Sequence, residues 1–211
     1  MRLARLHYSH YTQSQENHIM RVVKYPHPML SYKSKPLKKI DQGIRDIVAE
    51  MFRLMYATNG VGLAANQVDL PYQLVVINPT GKPEEKDSEY VFINPVILKL
   101  KGVENGEEGC LSYPGIHLSV PRAKEVKFQA VDLNGNVNTY YWKGFEARII
   151  QHETDHLEGK SFFQRVSELP YEAEMALDRM RTKFEQDRLA GLEPSDEEFM
   201  ENVARLESER C

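Results

Sequence analysis

Two histidines stand four residues apart in His152-Glu153-Thr154-Asp155-His156, with a glutamate beside the first. On a helix this HExxH spacing puts both imidazoles on one face, and imidazole nitrogens hold divalent cations. A carboxylate beside a ligand, but not itself one, can take a proton from a cation-activated water and later return it. Two histidines leave such a site one ligand short, because hydrolytic zinc-type centres use three protein ligands and an open position. Cys110 is the candidate third: its thiolate suits zinc or ferrous iron, and a cation would keep it deprotonated. The competing readings are an inert buried thiol at Cys110 and a chance HExxH on a polar helix. Ordinary HExxH peptidases draw a third histidine or a glutamate from downstream. No histidine follows His156, although Glu158 and Glu168 do. A closed structural metal site would need a fourth ligand, for which Cys211 is the remaining thiol. His7, His10, His18, His27 and His117 share no such spacing and are assigned no role.

A second polar stretch, Asn59 to Gln67, reads NGVGLAANQ. It lacks the third glycine of a dinucleotide fingerprint and follows a helix rather than a strand. Its glycines permit close approach of a peptide backbone, and Gln67 offers an amide N–H to an oxygen.

The elements that must position these groups follow from periodicity. Ile40, Ile44, Ile47, Val48, Met51, Phe52 and Met55 form one helical stripe, which should end in a left-handed cap at Asn59-Gly60. Tyr72 to Asn78 and Tyr90 to Leu100 read as strands, with Pro95 marking an edge or an interruption. Glu125 to Asp132 alternates, Asn134-Gly135 signals a two-residue hairpin, and Val137 to Trp142 is the return strand. The HExxH helix should run from about Phe145 to Glu158 and stop at Gly159, with Ile149 on the side of the histidines. Leu177, Met180 and Phe184 share a later helical face. Ser195 with Glu198 forms a capping box for a last helix carrying Phe199, Val203 and Leu206. The order predicts an α+β fold, mainly antiparallel, around a central HExxH helix.

The chain has 211 residues, enough for one domain with a sizeable core, and a formal charge of −4. That charge gives no nucleic-acid footprint, and no apolar run is long enough for a membrane span. Two cysteines make no disulfide framework, so a reducing compartment is expected. Residues 1–19 lack the apolar stretch of a secretory signal and read as an extension, an organelle-targeting peptide being the alternative. Residues 20–170 read as the catalytic domain, and 171–211 as an acidic C-terminal helical segment.

GVGLAANQ, EGCLS and QHETDH, in this order and at these intervals, resemble the three signature motifs of peptide deformylase over about Met20 to Ser167. The resemblance implies a compact α+β fold with a C-terminal helix, and hydrolysis of the N-formyl group of formylmethionyl peptides with release of formate. It also implies that Cys110, His152 and His156 bind the metal and Glu153 is the catalytic glutamate. Gln67 and the N–H of Leu111 then face the oxyanion, while the backbones of Val61, Gly62 and Gly109 bind the substrate as an added strand. Ile149 becomes a wall of the methionine pocket, and Asp155 either orients a histidine or lies on the surface. Ferrous iron is the expected ion, with zinc, nickel or cobalt compatible. The expected substrates are nascent chains at the ribosome, in the cytoplasm or in an organelle, with no partner among nucleic acids or membranes. Two residues depart from the family pattern, Asn66 where proline is common and Tyr113 where valine is. Neither departure falls on a motif residue with a chemical role, and both are expected at the pocket rim.

Overall fold

The computed structural model describes residues 20–211; the extension read at residues 1–19 lies outside them. Helix α1 (Gln42–Ala57) begins where the Asp41 carboxylate accepts the N–H of Ile44 at 3.0 Å. It ends at Asn59, whose φ of 57° makes it, rather than Gly60, the left-handed residue. Gly60 is needed for another reason: a Cβ there would stand 2.8 Å from the side chain of Leu111.

Five strands form one antiparallel sheet in the order β1 (Gly62–Ala64), β2 (Leu74–Ile77), β3 (Tyr90–Lys101), β6 (Glu125–Val131) and β7 (Val137–Lys143). Two more, β4 (Glu104–Cys110) and β5 (Tyr113–Arg122), make a separate two-stranded ribbon. Pro95 interrupts β3 as expected. The register with β6 shifts between Ile93 and Val96, and Asn94 turns to a φ of 52°. The Asn94 amide then bonds the backbone N–H and C=O of Leu37, both at 2.8 Å. The two-residue hairpin at Asn134-Gly135 is corrected. Val131 pairs with Val137 across residues 132–136, and only Gly135 there has positive φ. The Asp132 carboxylate accepts the N–H groups of Asn134 and Asn136 at 2.8 and 2.9 Å, which favours this longer turn.

Helix α2 (Gly144–Leu157) carries the HExxH residues and packs Ala147, Ile150 and Leu157 on Val75, Ile77, Phe92, Phe128 and Ala130 of the sheet. On the opposite face of the sheet lies α1, with Ile44, Val48, Met51 and Met55 against Leu74, Val76 and Ile93. The other side of α2 meets the β4–β5 ribbon. The ribbon's Tyr113, Ile116, Leu118 and Val120 pack on Phe162 and on Leu177 of α3 (Tyr171–Leu189).

The C-terminal segment forms two helices, α3 and α4 (Asp196–Arg210). The capping box before α4 is present: Ser195 N–H donates to Glu198 at 2.8 Å, and Glu198 N–H to the Ser195 hydroxyl at 3.2 Å. Phe199 and Val203 close over Met29, and Leu206 joins the α1 core. Tyr72, fully buried, donates its hydroxyl to the carbonyl of Leu206 at 3.2 Å. Truncating Leu206 to Ala should therefore cost about 2–4 kcal/mol, as for other buried leucines, read as a lower urea midpoint at unchanged slope.

Candidate active site

On α2 the two imidazoles sit one turn apart with ring centroids 5.0 Å from each other. Cys110, the last residue of β4, brings its Sγ to 3.2 Å from His156 Nε2. The potential ligand atoms of Cys110, His152 and His156 all lie within 4.8 Å of one another. Two imidazoles and a thiolate suit a zinc- or iron-type divalent cation, so the donor set fits the expected metal. Among the described residues this is the cluster able to hold one. Glu158 is instead paired with Lys33 at 2.8 Å, and Cys211 lies against the carbonyl of Lys35.

His152 is oriented by Glu108, a residue to which the sequence reading gave no role. Its Nδ1 lies 2.8 Å from Glu108 Oε2. A carboxylate partner requires the proton on Nδ1, which leaves Nε2 for a cation. Arg122 also holds Glu108, through Nε at 2.9 Å and Nη2 at 3.0 Å. Burial alone would raise the Glu108 carboxyl, but hydrogen bonds from His152 and Arg122 bring it down to about 2. Strand period could not have found Glu108, because β4 has little apolar signal and its register shifts between Gly109 and Cys110. Asp155 does not orient a histidine. It is buried and paired with the guanidinium groups of Arg122 and Arg165.

Burial disfavours a charged His152, but the hydrogen bonds it donates to Cys110 and Glu108 outweigh this and raise its pKa to about 10. Burial, followed by the charge of His152, drives His156 well below the usual imidazole range. Glu153 is 5% exposed, its Oε2 has no partner, and burial pushes its carboxyl up to about 7.

These groups border a cavity of about 390 Å³. Val61 and Gly62 reach it from one side and Gly109 from the other, with Leu111 and Ile149 also in the wall. Gly62 has to be glycine, since a Cβ there would collide with the Glu153 carboxylate. Gln67 is fixed at both ends of its amide. Its Oε1 accepts Ala64 N–H at 2.9 Å, so Nε2 faces Cys110 Sγ at 3.4 Å and Ser112 Oγ at 3.3 Å. All ten residues singled out from sequence thus converge here, with His156 behind the cavity wall. His117 also lines the mouth, its ring against Gly109.

Residues 19–171 match the polypeptide deformylase family, a span that contains every group just described. The chain belongs to the polypeptide deformylase family. It is 46% identical to peptide deformylase of Rhodopirellula baltica over 149 residues, 71% of this chain and 74% of that protein. With peptide deformylase of Neisseria gonorrhoeae it shares 42% over 151 residues, 72% and 89% of the two chains. The fold is similar to that of Arabidopsis thaliana peptide deformylase 1B in complex with an inhibitor. The TM-score is 0.76 at 40% identity, covering 80% of this chain and 93% of the other. The peptide deformylase of Thermotoga maritima superposes with a TM-score of 0.66 at 33% identity, covering 72% and 99%.

Of the two departures from the family pattern, Tyr113 lines the cavity as expected, whereas Asn66 is fully buried away from it. The Asn66 side-chain amide donates to the backbone carbonyl of His156, and Tyr113 pairs with Cys110 in the ribbon. Both residues therefore contact members of the cluster able to hold a metal.

The depressed Glu108 carboxyl makes a stability prediction with a definite sign. Its pairing stabilises the fold fully above about pH 4.5 and is lost as pH falls through about 2. The urea midpoint of the wild type should drop on going from pH 6 to pH 3. Glu108→Gln should be less stable than wild type at pH 6, with a smaller drop.

Proposed function

We propose that Glu153, Gln67 and Leu111 carry the chemistry of this enzyme beside a cation held by Cys110, His152 and His156. The reaction is that of the family: the N-formyl group of newly synthesised proteins is removed and formate is released. When bound, the cation supplies Lewis acidity to the water and to the formyl oxygen. Glu153 takes the proton of the attacking water. Its buried, unpartnered oxygen is the observation that carries this assignment, and a carboxyl near neutrality can both accept and return a proton. Gln67 Nε2, held by the bond from Ala64 to its own oxygen, donates to the oxygen that becomes anionic, with Leu111 N–H as the second donor. Glu153 then passes its proton to the departing amine as the C–N bond breaks.

The substrate chain lies between two sheet edges. β1 ends the five-stranded sheet and β4 belongs to the ribbon, and Val61, Gly62 and Gly109 of these edges border the cavity. An extended peptide there gains main-chain hydrogen bonds independent of its sequence. Ile149 takes part in the pocket for the methionine side chain.

Ferrous iron is the working ion in this reading, and zinc, nickel and cobalt would be accepted by the same donors. The substrates are chains leaving a ribosome, which assigns the enzyme to the cytoplasm or to a translating organelle. A rice relative is named chloroplastic, and no described helix is long and apolar enough to cross a membrane. Residues 20–170 form the catalytic unit and 171–211 its C-terminal support.

Two measurements test this. Formate release from formyl-Met-Ala-Ser should be readily detected with iron-loaded wild type and fall by about a hundredfold or more in Glu153→Ala. Absence of formate from a metal-loaded wild type would overturn the activity, and full activity of the variant would remove Glu153 from its role. Gln67→Ala should lower kcat by about a hundred- to thousandfold with metal content unchanged. An unchanged kcat would exclude Gln67 as the donor.

A further inference from the structure

Both oxygens of Glu108 are doubly engaged. Oε2 accepts from Arg122 at 3.0 Å and from His152 at 2.8 Å. Oε1 accepts from Arg122 at 2.9 Å and from a second guanidinium, that of Arg148, at 2.8 Å. A carboxylate offers about four lone-pair sites, so this one is saturated. Arg148 stands one helical turn before His152 on α2 and is 8% exposed. Its Nη1 also donates to the carbonyl of Val120 at 2.8 Å on β5, and its Nη2 to that of Glu104 at 3.1 Å on β4. The guanidinium rests on Gly106, where a Cβ would stand 2.7 Å from Cζ. Arg148 therefore ties the helix bearing both histidines to the strand that ends in Cys110. It also occupies the Glu108 oxygen opposite the one used by His152.

We propose that Arg148 is a positioning residue for the metal centre. By pinning Oε1 of Glu108 it keeps Oε2 on His152 Nδ1, and so keeps His152 Nε2 aimed at the cation. Arg122 grips both Glu108 oxygens, but without Arg148 Oε1 is one donor short and the strand carbonyls of Val120 and Glu104 lose their tie to α2. The inference rests on the reading of Cys110, His152 and His156 as ligands.

The test is a double-mutant cycle in Co²⁺ affinity, with the thiolate-to-cobalt absorption as a second readout. Arg148→Met should raise the Co²⁺ dissociation constant about ten- to hundredfold, as loss of a ligand-orienting partner does. Arg148→Lys should recover part of it, because an ammonium can hold one oxygen but not span to the strand carbonyls. In a Glu108→Gln background Arg148→Met should add little. Should Arg148→Met not fold, Gly106→Ala displaces the guanidinium from the other side and carries the same cycle. A wild-type dissociation constant in the folded Arg148 variant, or an equal fold-loss in both backgrounds, would overturn the proposal. Failure of wild type to bind Co²⁺ would instead remove the ligand assignment itself.

Discussion

A helix buried over most of its length has to find a partner for each polar group it carries there. Beyond its exposed first turn α2 is such a helix: Arg148, Gln151, Glu153, Asp155 and His156 are all buried, together with its apolar face. Desolvating that many polar side chains without partners would cost several kcal/mol each. The β4–β5 ribbon supplies what is missing, namely Glu108, Arg122 and strand carbonyls. Gln151 closes its own bonds to the backbone N–H and C=O of Ala123, both at 2.9 Å. The remaining exceptions are informative. Glu153 Oε2 and His156 Nδ1 are buried without partners, and both belong to the residues proposed to act on metal or substrate.

This constraint explains the architecture around the site. The five-stranded sheet gives α2 an apolar seat, and the ribbon gives it a polar lid that delivers Cys110 at one end. The free edges of β1 and β4 then face one another across the cavity, with glycine at 62 and 109 allowing close backbone approach. Buried ion pairs of this kind add little net stability against an apolar replacement but are costly to break singly. Their role here is geometric: Glu108 fixes one tautomer and one ring orientation of His152. The C-terminal helices act at longer range, closing the α1 core through Leu206 and covering the ribbon through Leu177.

Much of this was legible in the residues. Helical period found α1, α2 and the faces of the last two helices, and the capping box at Ser195 and Glu198 was read correctly from its spacing. β4 was not read as a strand, because Glu104 to Cys110 contains two glycines and three glutamates and little apolar signal. The Asn134-Gly135 turn was read one type too short, since the capping by Asp132 lies outside the two-residue window. Asp155 was left between orienting a histidine and lying on the surface, and it does neither: its partners come from β5 and from Arg165, which spacing on one helix cannot see.

The sequence by itself determined the candidate ligand types, the carboxylate beside them and the family, because those depend on local order and motif spacing. It also determined the apolar faces, which follow from period. Only the tertiary structure decided which carboxylate orients His152, that Asn66 holds the backbone of His156, and that Gly62 is shaped by Glu153. Each of these is a contact between residues far apart in the chain. Their identity depends on how α2 sits between sheet and ribbon, and burial of the helix from Ala147 to Leu157, rather than any local preference, sets that arrangement.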